Sequence, residues 1–478
     1  MTDSLKEKSG FALFWNFIDK GGQQIIQFIF LMILVRMLDV ADFGLIALLA
    51  IFTVIANLLQ ESGFSAALIR KKDADESDYS SVFYFNIAVS LFIYGLLYFF
   101  APLIATYFNK PILTDLARVI FLSFVFNAFG IIQNVHLQRR MDFRNNAKIT
   151  FIAGLISGLV AITVAYLGYG VWSLVIQLVV QAFTRSLLLW VVIKWKPSSL
   201  FNINKLKGMM SYSVKLLLTS IFNQAAAYTY PLVIGKYFSI TQVGYYGQAS
   251  KLNTIPQSII ADSLQGVTYP LLTKLENAER MQRVFRKIVR ISSFICFPVA
   301  LLLIIAAKPI VEIAFTEKFL ESIPILQILA VSGAIYPLYT LSSALLKALG
   351  KSGLLLKTEM IRNSILIVSV FISFRFGILG LAAGFTLTQI IAFIIAFFLS
   401  GKYISYRLKH VFKDIFPYFS ISVCVFLPLY LLENVIENNF LLLTSQVIIG
   451  GSSYLLIIKL LGSKVMDDCL KFIRNKKV

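Results

Sequence analysis

The sequence predicts an all-α polytopic membrane protein of about fourteen transmembrane helices. Three observations carry that reading: a composition too apolar for water, hydrophobic runs of membrane-crossing length, and Lys and Arg gathered in alternate connections. Of the 478 residues, 58% are hydrophobic and 14% charged, with a mean hydropathy of +0.79. A soluble domain carries roughly 45–50% apolar and about 25% charged residues, so the charges here are too few to cover an apolar surface. The net charge of +20 fits basic loops facing anionic lipid headgroups. Nucleic-acid binding is excluded because the cations are spread over eight segments without an aromatic stacking platform. Cys296, Cys424 and Cys469 lie far apart and offer neither a disulfide framework nor a metal site.

A helix crosses about 30 Å of hydrocarbon with about 20 apolar residues. Such runs occupy 12–35, 43–68, 82–108, 116–137, 147–167, 169–193, 209–235, 243–271, 289–313, 323–346, 357–375, 378–400, 412–432 and 440–461. They are continuous rather than alternating, which excludes barrel strands. The short polar start, with no small-residue cleavage site after the first span, argues against a cleaved signal peptide.

Lys and Arg number 31 in the even-numbered connections and the two ends, against six in the odd-numbered connections, Arg36, Lys110, Lys236, Lys308, Lys318 and Arg375. By the positive-inside bias this places both termini of a multi-pass membrane protein in the cytoplasm.

The first span and its exit, Gln23-Gln24 with Arg36 and Gly44, recur two hundred residues on as Asn223-Gln224 with Lys236 and Gly244. Gly168-Tyr169-Gly170 likewise answers Gly377-Ile378-Leu379 at an offset near 209. A duplicated six-span unit gives parallel repeats related by an axis along the membrane normal. The expected organisation is an N-lobe over 1–193, a cytoplasmic linker over 194–208, a C-lobe over 209–400, and two further spans with a basic tail over 401–478.

Seven cations fall inside spans. A charge near the bilayer centre costs roughly 2.5–3.5 kcal/mol, so such residues face a bundle interior or a watery cavity. Arg118, Lys215, Arg362 and Lys459 lie near span ends and are expected to snorkel. Lys20, Arg185 and Lys251 lie deeper and are the candidates for a cationic cavity. Asn16, Lys20, Gln23, Gln24 and Gln27 share one stripe of the first span. Asn223, Gln224 and Tyr228 form its counterpart in the seventh. Single amides commonly serve as hydrogen-bonding glue between helices, but the paired stripes on spans one and seven favour a ligand-binding role. The second span adds Asn57, Gln60 and Glu61. Glu61 and Asp262, at near-equivalent places in spans two and eight, are candidates for a coupling proton or sodium ion, or for a gate.

No bound cofactor is expected. With only His136 and His410 present, a histidine-based triad or metal site has little to draw on, and no phosphate-binding G-x-x-x-x-G-K-[ST] loop occurs. The chain is therefore expected not to be an enzyme.

The string Leu34-Val35-Arg36-Met37-Leu38-Asp39, Asp42-Phe43-Gly44, then Glu61-Ser62-Gly63-Phe64-Ser65-Ala66-Ala67-Leu68 resembles the start of bacterial polysaccharide exporters of the Wzx type, in the colanic-acid and teichuronic-acid branch. Gly244-Tyr245-Tyr246-Gly247-Gln248-Ala249 resembles the same family's second-lobe counterpart. The resemblance implies membership of the multidrug/oligosaccharidyl-lipid/polysaccharide (MOP) superfamily, two six-helix lobes in a V, and alternating access. It implies translocation of an undecaprenyl-diphosphate-linked oligosaccharide for surface polysaccharide synthesis, with a cationic cavity for the diphosphate. Membrane lipids, a polysaccharide polymerase and glycosyltransferases are the implied partners. The rivals are a multidrug exporter on the same architecture, a peptidoglycan-precursor flippase, and a membrane glycosyl polymerase or ligase. Three deep cations disfavour the drug exporter, and outer loops of about ten residues or fewer disfavour the polymerase.

Overall fold

The computed structural model describes residues 22–462 except 23, 25, 62, 63, 72, 141, 208, 211–213, 215, 216, 218–220, 222, 223, 225–227, 274 and 276. Among the described residues there is no strand, as lipid demands when no water is at hand to satisfy an open backbone. Among the described residues, ten stretches are long and apolar enough to cross a membrane. Expected spans two to six and eight to fourteen each coincide with a helix, whereas spans one and seven fall largely outside the described residues. The eighth span is absent from the ten, although its helix runs for 33 residues. Its polar positions, Gln248, Lys251, Asn253, Gln257 and Asp262 among them, lower its hydropathy.

The chain divides into two compact units, Met1–Gly244 and Tyr245–Val478. The first contains α1 (Ile26–Met37), α2 (Val40–Glu61), α3 (Phe64–Arg70), α4 (Glu76–Tyr107), α5 (Leu113–Ile120), α6 (Leu122–Arg139), α7 (Phe143–Tyr166), α8 (Trp172–Val192) and α9 (Thr229–Tyr237). The start of α4 shows how local chemistry fixes this unit. Asp78 N–H donates to Asp75 Oδ1 at 2.8 Å and Asp75 N–H donates to Asp78 Oδ2 at 3.0 Å, a reciprocal capping box. Two lysines neutralise the pair of acids, Lys71 on buried Asp78 at 2.6 Å and Lys205 on Asp75 at 2.5 Å.

Lys205 belongs to the segment expected as an inter-lobe linker, and that segment is docked rather than free. Trp195 Nε1 donates to Glu76 Oε2 at 2.8 Å, and the backbone N–H groups of Ser199 and Asn202 donate to the hydroxyls of Ser80 and Ser81. Leu206 and Met209 are buried beside Phe64, Tyr79, Val82 and Ile132. The strap thus covers the N-terminal turns of α4.

The offset of 200 residues has a geometric counterpart. Gly44 lies so close to the Ile240 carbonyl that an added Cβ would overlap its oxygen, and Gly244 stands in the same relation to the Val40 carbonyl. Val40 and Ile240 are themselves 200 residues apart, so the contact is reciprocal under the repeat. Each glycine is needed because backbone, which cannot rotate away, occupies the space a methyl group would take.

The second unit contains most of α10 (Ile240–Leu272), then α11 (Ala278–Ile305), α12 (Ala307–Phe315), α13 (Ser322–Ala348), α14 (Ser352–Ser373), α15 (Gly377–Gly401), α16 (Leu408–Phe426) and α17 (Asn439–Leu460). Its core joins Phe285, Val289, Leu341, Leu345, Phe397 and Tyr406. Asp414, nearly fully buried, accepts from Arg286 Nε at 2.7 Å, from Arg290 NH2 at 2.6 Å and from Tyr406 Oη at 2.9 Å, which binds α11 to α16. Asn253 of α10 fits a notch left by Gly333 of α13 and donates to Ser332 Oγ at 3.4 Å, an interhelical amide contact of the structural kind.

Substitution of Gly44 or Gly244 by Ala is expected to cost about 1–3 kcal/mol each through overpacking. The two effects should be similar in size, read as shifts in melting temperature of the detergent-solubilised protein. At the strap, the hydrogen bonds from Lys205 and the Asp78 amide hold the Asp75 carboxyl down from 3.8 to about 2. A carboxylate depressed on folding stabilises the fold above its ordinary value and loses that contribution as pH falls from about 4 to about 2. Melting temperature should therefore drop more steeply over this range for wild type than for Asp75→Asn. The difference should stay below about 1 kcal/mol, because the pair is solvent-exposed.

Candidate functional site

Three helices of the first unit each turn a pair of polar side chains, one helical turn apart, toward a common cavity. Thr53 and Asn57 come from α2, Ser123 and Asn127 from α6, and Asn146 and Thr150 from α7, each at i, i+4. On α8 the spacing i, i+3, i+4, i+7 brings Leu178, Gln181, Ala182 and Arg185 to the same side, and Ile120 of α5 completes the lining. The cavity measures about 370 Å³, at the small end of ligand sites. Its depth follows from the helix ends. Asn146 lies in the first turn of α7, and Arg185 lies about 10 Å before the end of α8 by helical rise. Both ends face the Lys- and Arg-rich side, whereas Ser123 stands in the first turn of α6, about 24 Å from that helix's basic end, so the lining runs from the basic side along much of the unit.

Close approach of α6 and α8 holds the lining together. Gly130 of α6 meets Ser186 and Leu189 of α8, where a Cβ would stand 2.9 Å from Leu189 Cδ1. One turn away, Trp190 Nε1 donates to the Phe129 carbonyl at 2.8 Å. The Gln133 amide is satisfied at the same place when its nitrogen donates to Phe129 O at 2.8 Å and its oxygen accepts from Trp190. Carbonyl, amide and indole thus fix the register in which Asn127 faces Gln181 and Arg185. Several lining side chains also bond their own helices, Thr53 to the Ala50 carbonyl at 2.7 Å and Ser123 to that of Ile120 at 2.6 Å. These bonds leave hydroxyl lone pairs as acceptors toward the cavity.

Arg185 is the one charged side chain among the described residues of the lining, in a wall of four amides, three hydroxyls and three apolar groups. Such a wall hydrogen-bonds polyhydroxylated matter and one anionic group. It has no described carboxylate to take a cationic ligand.

The other expected residues fall elsewhere. Asn16, Lys20, Gln23 and Asn223 lie outside the described residues, as does the side chain of Glu61. Gln24 and Gln27 are exposed, and Gln224 and Tyr228 are half-buried. In the second unit, Lys251 is exposed on α10 and shares a polar face with Thr254, Ser258 and Asp262 at i, i+3, i+7 and i+11. Arg362, expected to snorkel, is instead held inside the unit. Its guanidinium is 3.0 Å from Glu359 Oε2 and 5.2 Å from the Tyr339 ring centre, while the Tyr339 hydroxyl donates to Glu359 Oε1 at 2.9 Å. The neighbouring carboxylate one turn away makes retention cheaper than reaching the interface. Asn127, Asn146, Thr150 and Gln181 were not singled out from sequence. Their signal was available in the i, i+4 polar pairs on otherwise apolar helices.

The sequence profile of the family described as "Polysaccharide biosynthesis protein" matches residues 33–324. The chain belongs to this polysaccharide biosynthesis family. Its relatives include teichuronic acid biosynthesis protein TuaB of Bacillus subtilis (strain 168), 26% identical over 416 residues that cover 86% of each chain. Lipopolysaccharide biosynthesis protein WzxC of Escherichia coli (strain K12) is 23% identical over 84% of this chain and 82% of its own. The Wzx-type resemblance of the N-terminal string is thereby borne out. The fold is that of lipid II flippase MurJ in an inward closed conformation, with a TM-score of 0.78 and 18% identity over 93% of this chain and 98% of that one. A multidrug resistance MATE transporter of the MOP superfamily, facing inward, has a TM-score of 0.65 and 17% identity over 80% of this chain and 94% of that one. The family member is thus a multi-pass membrane protein with the MOP fold.

Replacing Gly130 by Val should separate α6 from α8 and disperse the lining. Spectroscopic distances between probes on these two helices are expected to lengthen, with the helical circular dichroism of the protein unchanged.

Proposed function

We propose that the protein translocates an undecaprenyl-diphosphate-linked oligosaccharide from the cytoplasmic to the periplasmic leaflet of a bacterial inner membrane, by alternating access, for surface polysaccharide synthesis. The observation that carries this reading is the amide- and hydroxyl-lined cavity with Arg185 in its wall. It offers what a glycan head group needs and what a cationic drug does not. Amides donate to and accept from sugar hydroxyls, and the guanidinium contacts an anionic part of the head group. The names of TuaB and WzxC support the polysaccharide context, and their family is this chain's family.

The orientation follows from the positive-inside bias, 31 cations against six. With both termini cytoplasmic, Asn57 and Asn146 line the end of the cavity nearer the leaflet on which such head groups are assembled. Lys20 and Lys251 remain further candidate contacts for the diphosphate, and Glu61 and Asp262 candidates for a coupling proton or sodium ion. Membrane lipids surround the helices, and glycosyltransferases and a polymerase are the enzymes that would supply and consume the cargo.

Reconstitution in liposomes with a fluorescent lipid-diphosphate-linked oligosaccharide tests the assignment. Wild type is expected to move the probe between leaflets. Asn127→Ala and Gln181→Ala should each slow it roughly 5–10-fold for a lost hydrogen bond, and Arg185→Ala by more, because its bonds are charge-assisted. Unchanged rates in all three variants would overturn the reading.

A further inference from the structure

We infer that the outer face of the strap after α8 is a docking surface for anionic lipid headgroups, with Leu200, Phe201 and Ile203 entering the leaflet boundary and Lys194, Lys196 and Lys207 meeting its phosphates. This holds whatever cargo the protein carries. Over 193–200 the exposure alternates: Ile193, Trp195, Pro197 and Ser199 are wholly or partly covered, while Lys194, Lys196, Ser198 and Leu200 are exposed, the period of an extended chain. The inner face is held by Trp195 on Glu76, by the Ser199 and Asn202 amides on Ser80 and Ser81, and by Leu206 in the core. The outer face is unpartnered. Leu200 is 90% exposed, Phe201 48% and Ile203 47%, three large apolar side chains within four residues, and none belongs to a stretch long enough to cross the membrane. Water is a poor solvent for such a cluster, and a second surface is needed to cover it.

Position and charge name the occupant. The strap leaves α8 at Val192 and lies on the first turns of α4, tied down at Trp195 and again at Leu206, so it runs across the level at which two spans leave the hydrocarbon. From Lys194 to Lys207 there are four lysines and no Asp or Glu. Lys205 is committed to Asp75, whereas Lys194, Lys196 and Lys207 are exposed and make no ion pair among the described residues. Apolar tips flanked by cations, with no acid between them, suit an interfacial segment whose tips sink beneath the headgroups while the ammonium groups stay at phosphate level. Lysine stems permit this, since they lie along apolar surface and keep the charge in the polar layer. A second copy of the strap is a poor occupant, because it would set lysines against lysines. The strap is then clamped on two sides, by α4 within the unit and by the leaflet outside it.

The test uses the full chain with Cys296, Cys424 and Cys469 replaced by Ser, carrying a bimane label on Leu200→Cys, in vesicles with and without phosphatidylglycerol. Lipids brominated near the top of the acyl chain should quench the label in the anionic vesicles, and aqueous iodide should quench it little. Replacing Lys194, Lys196 and Lys207 together by Gln should roughly halve the lipid quenching in anionic vesicles and leave it unchanged in neutral ones. A label on Phe201→Cys gives the same readings should the first variant fail to insert. Full quenching by iodide and none by brominated lipid would overturn the inference, since the strap would then face water. Protection from both quenchers would overturn it in favour of a protein cover. Lipid quenching indifferent to phosphatidylglycerol and to the three lysines would overturn it as well, because the headgroup charge would then play no part.

Discussion

Everything in this chain answers to one constraint: inside a membrane a polar atom finds no water, so it is bonded within the protein or it lines a cavity. The four helices α2, α6, α7 and α8 meet that constraint in the second way. Their polar pairs are gathered onto one face of each helix, and the Gly130 contact with Ser186 and Leu189 brings two of those faces together. Asp414 meets it in the first way, its two oxygens taken up by Arg286, Arg290 and Tyr406. Arg362 does the same with Glu359. The distinction between a structural and a functional polar residue is therefore one of where its bonds end, and the two units contain clear instances of each.

Much of this was legible beforehand. Hydropathy and length alone placed spans two to six and nine to fourteen, because each such helix must be apolar for about 20 residues whatever its neighbours do. The eighth was placed on length despite a polar face, since Gln248, Asn253 and Gln257 turn inward to the unit. Arg185 was legible because a lone arginine seven residues inside a span cannot be lipid-facing at low cost. The amides around it were not. A single Asn in a membrane helix is as well explained by contact with a neighbour as by a ligand, and only the meeting of pairs from different helices separates the two. Arg362 misled for a related reason: its distance from the span end suggested snorkelling, while its partner Glu359, one turn earlier, was decisive.

The glycine pair shows how sequence repetition becomes geometry. Gly44 and Gly244 stood out only as members of a weak periodic match. In the structure each seats itself on the carbonyl at the position equivalent to the other's target. The offset is thus expressed as a physical two-sided contact, in which the absence of a side chain on one strand of the repeat answers a backbone oxygen on the other.

The docked strap has a meaning for how the chain is built. The segment after α8 is held by Trp195, Ser199, Asn202 and Lys205 on the N-terminal turns of α4, with Leu206 buried. All of these partners are synthesised before the second half of the repeat leaves the ribosome. The nascent chain can therefore anchor its own midpoint early, and the later helices begin insertion from a fixed site, with the wandering of a free tether removed.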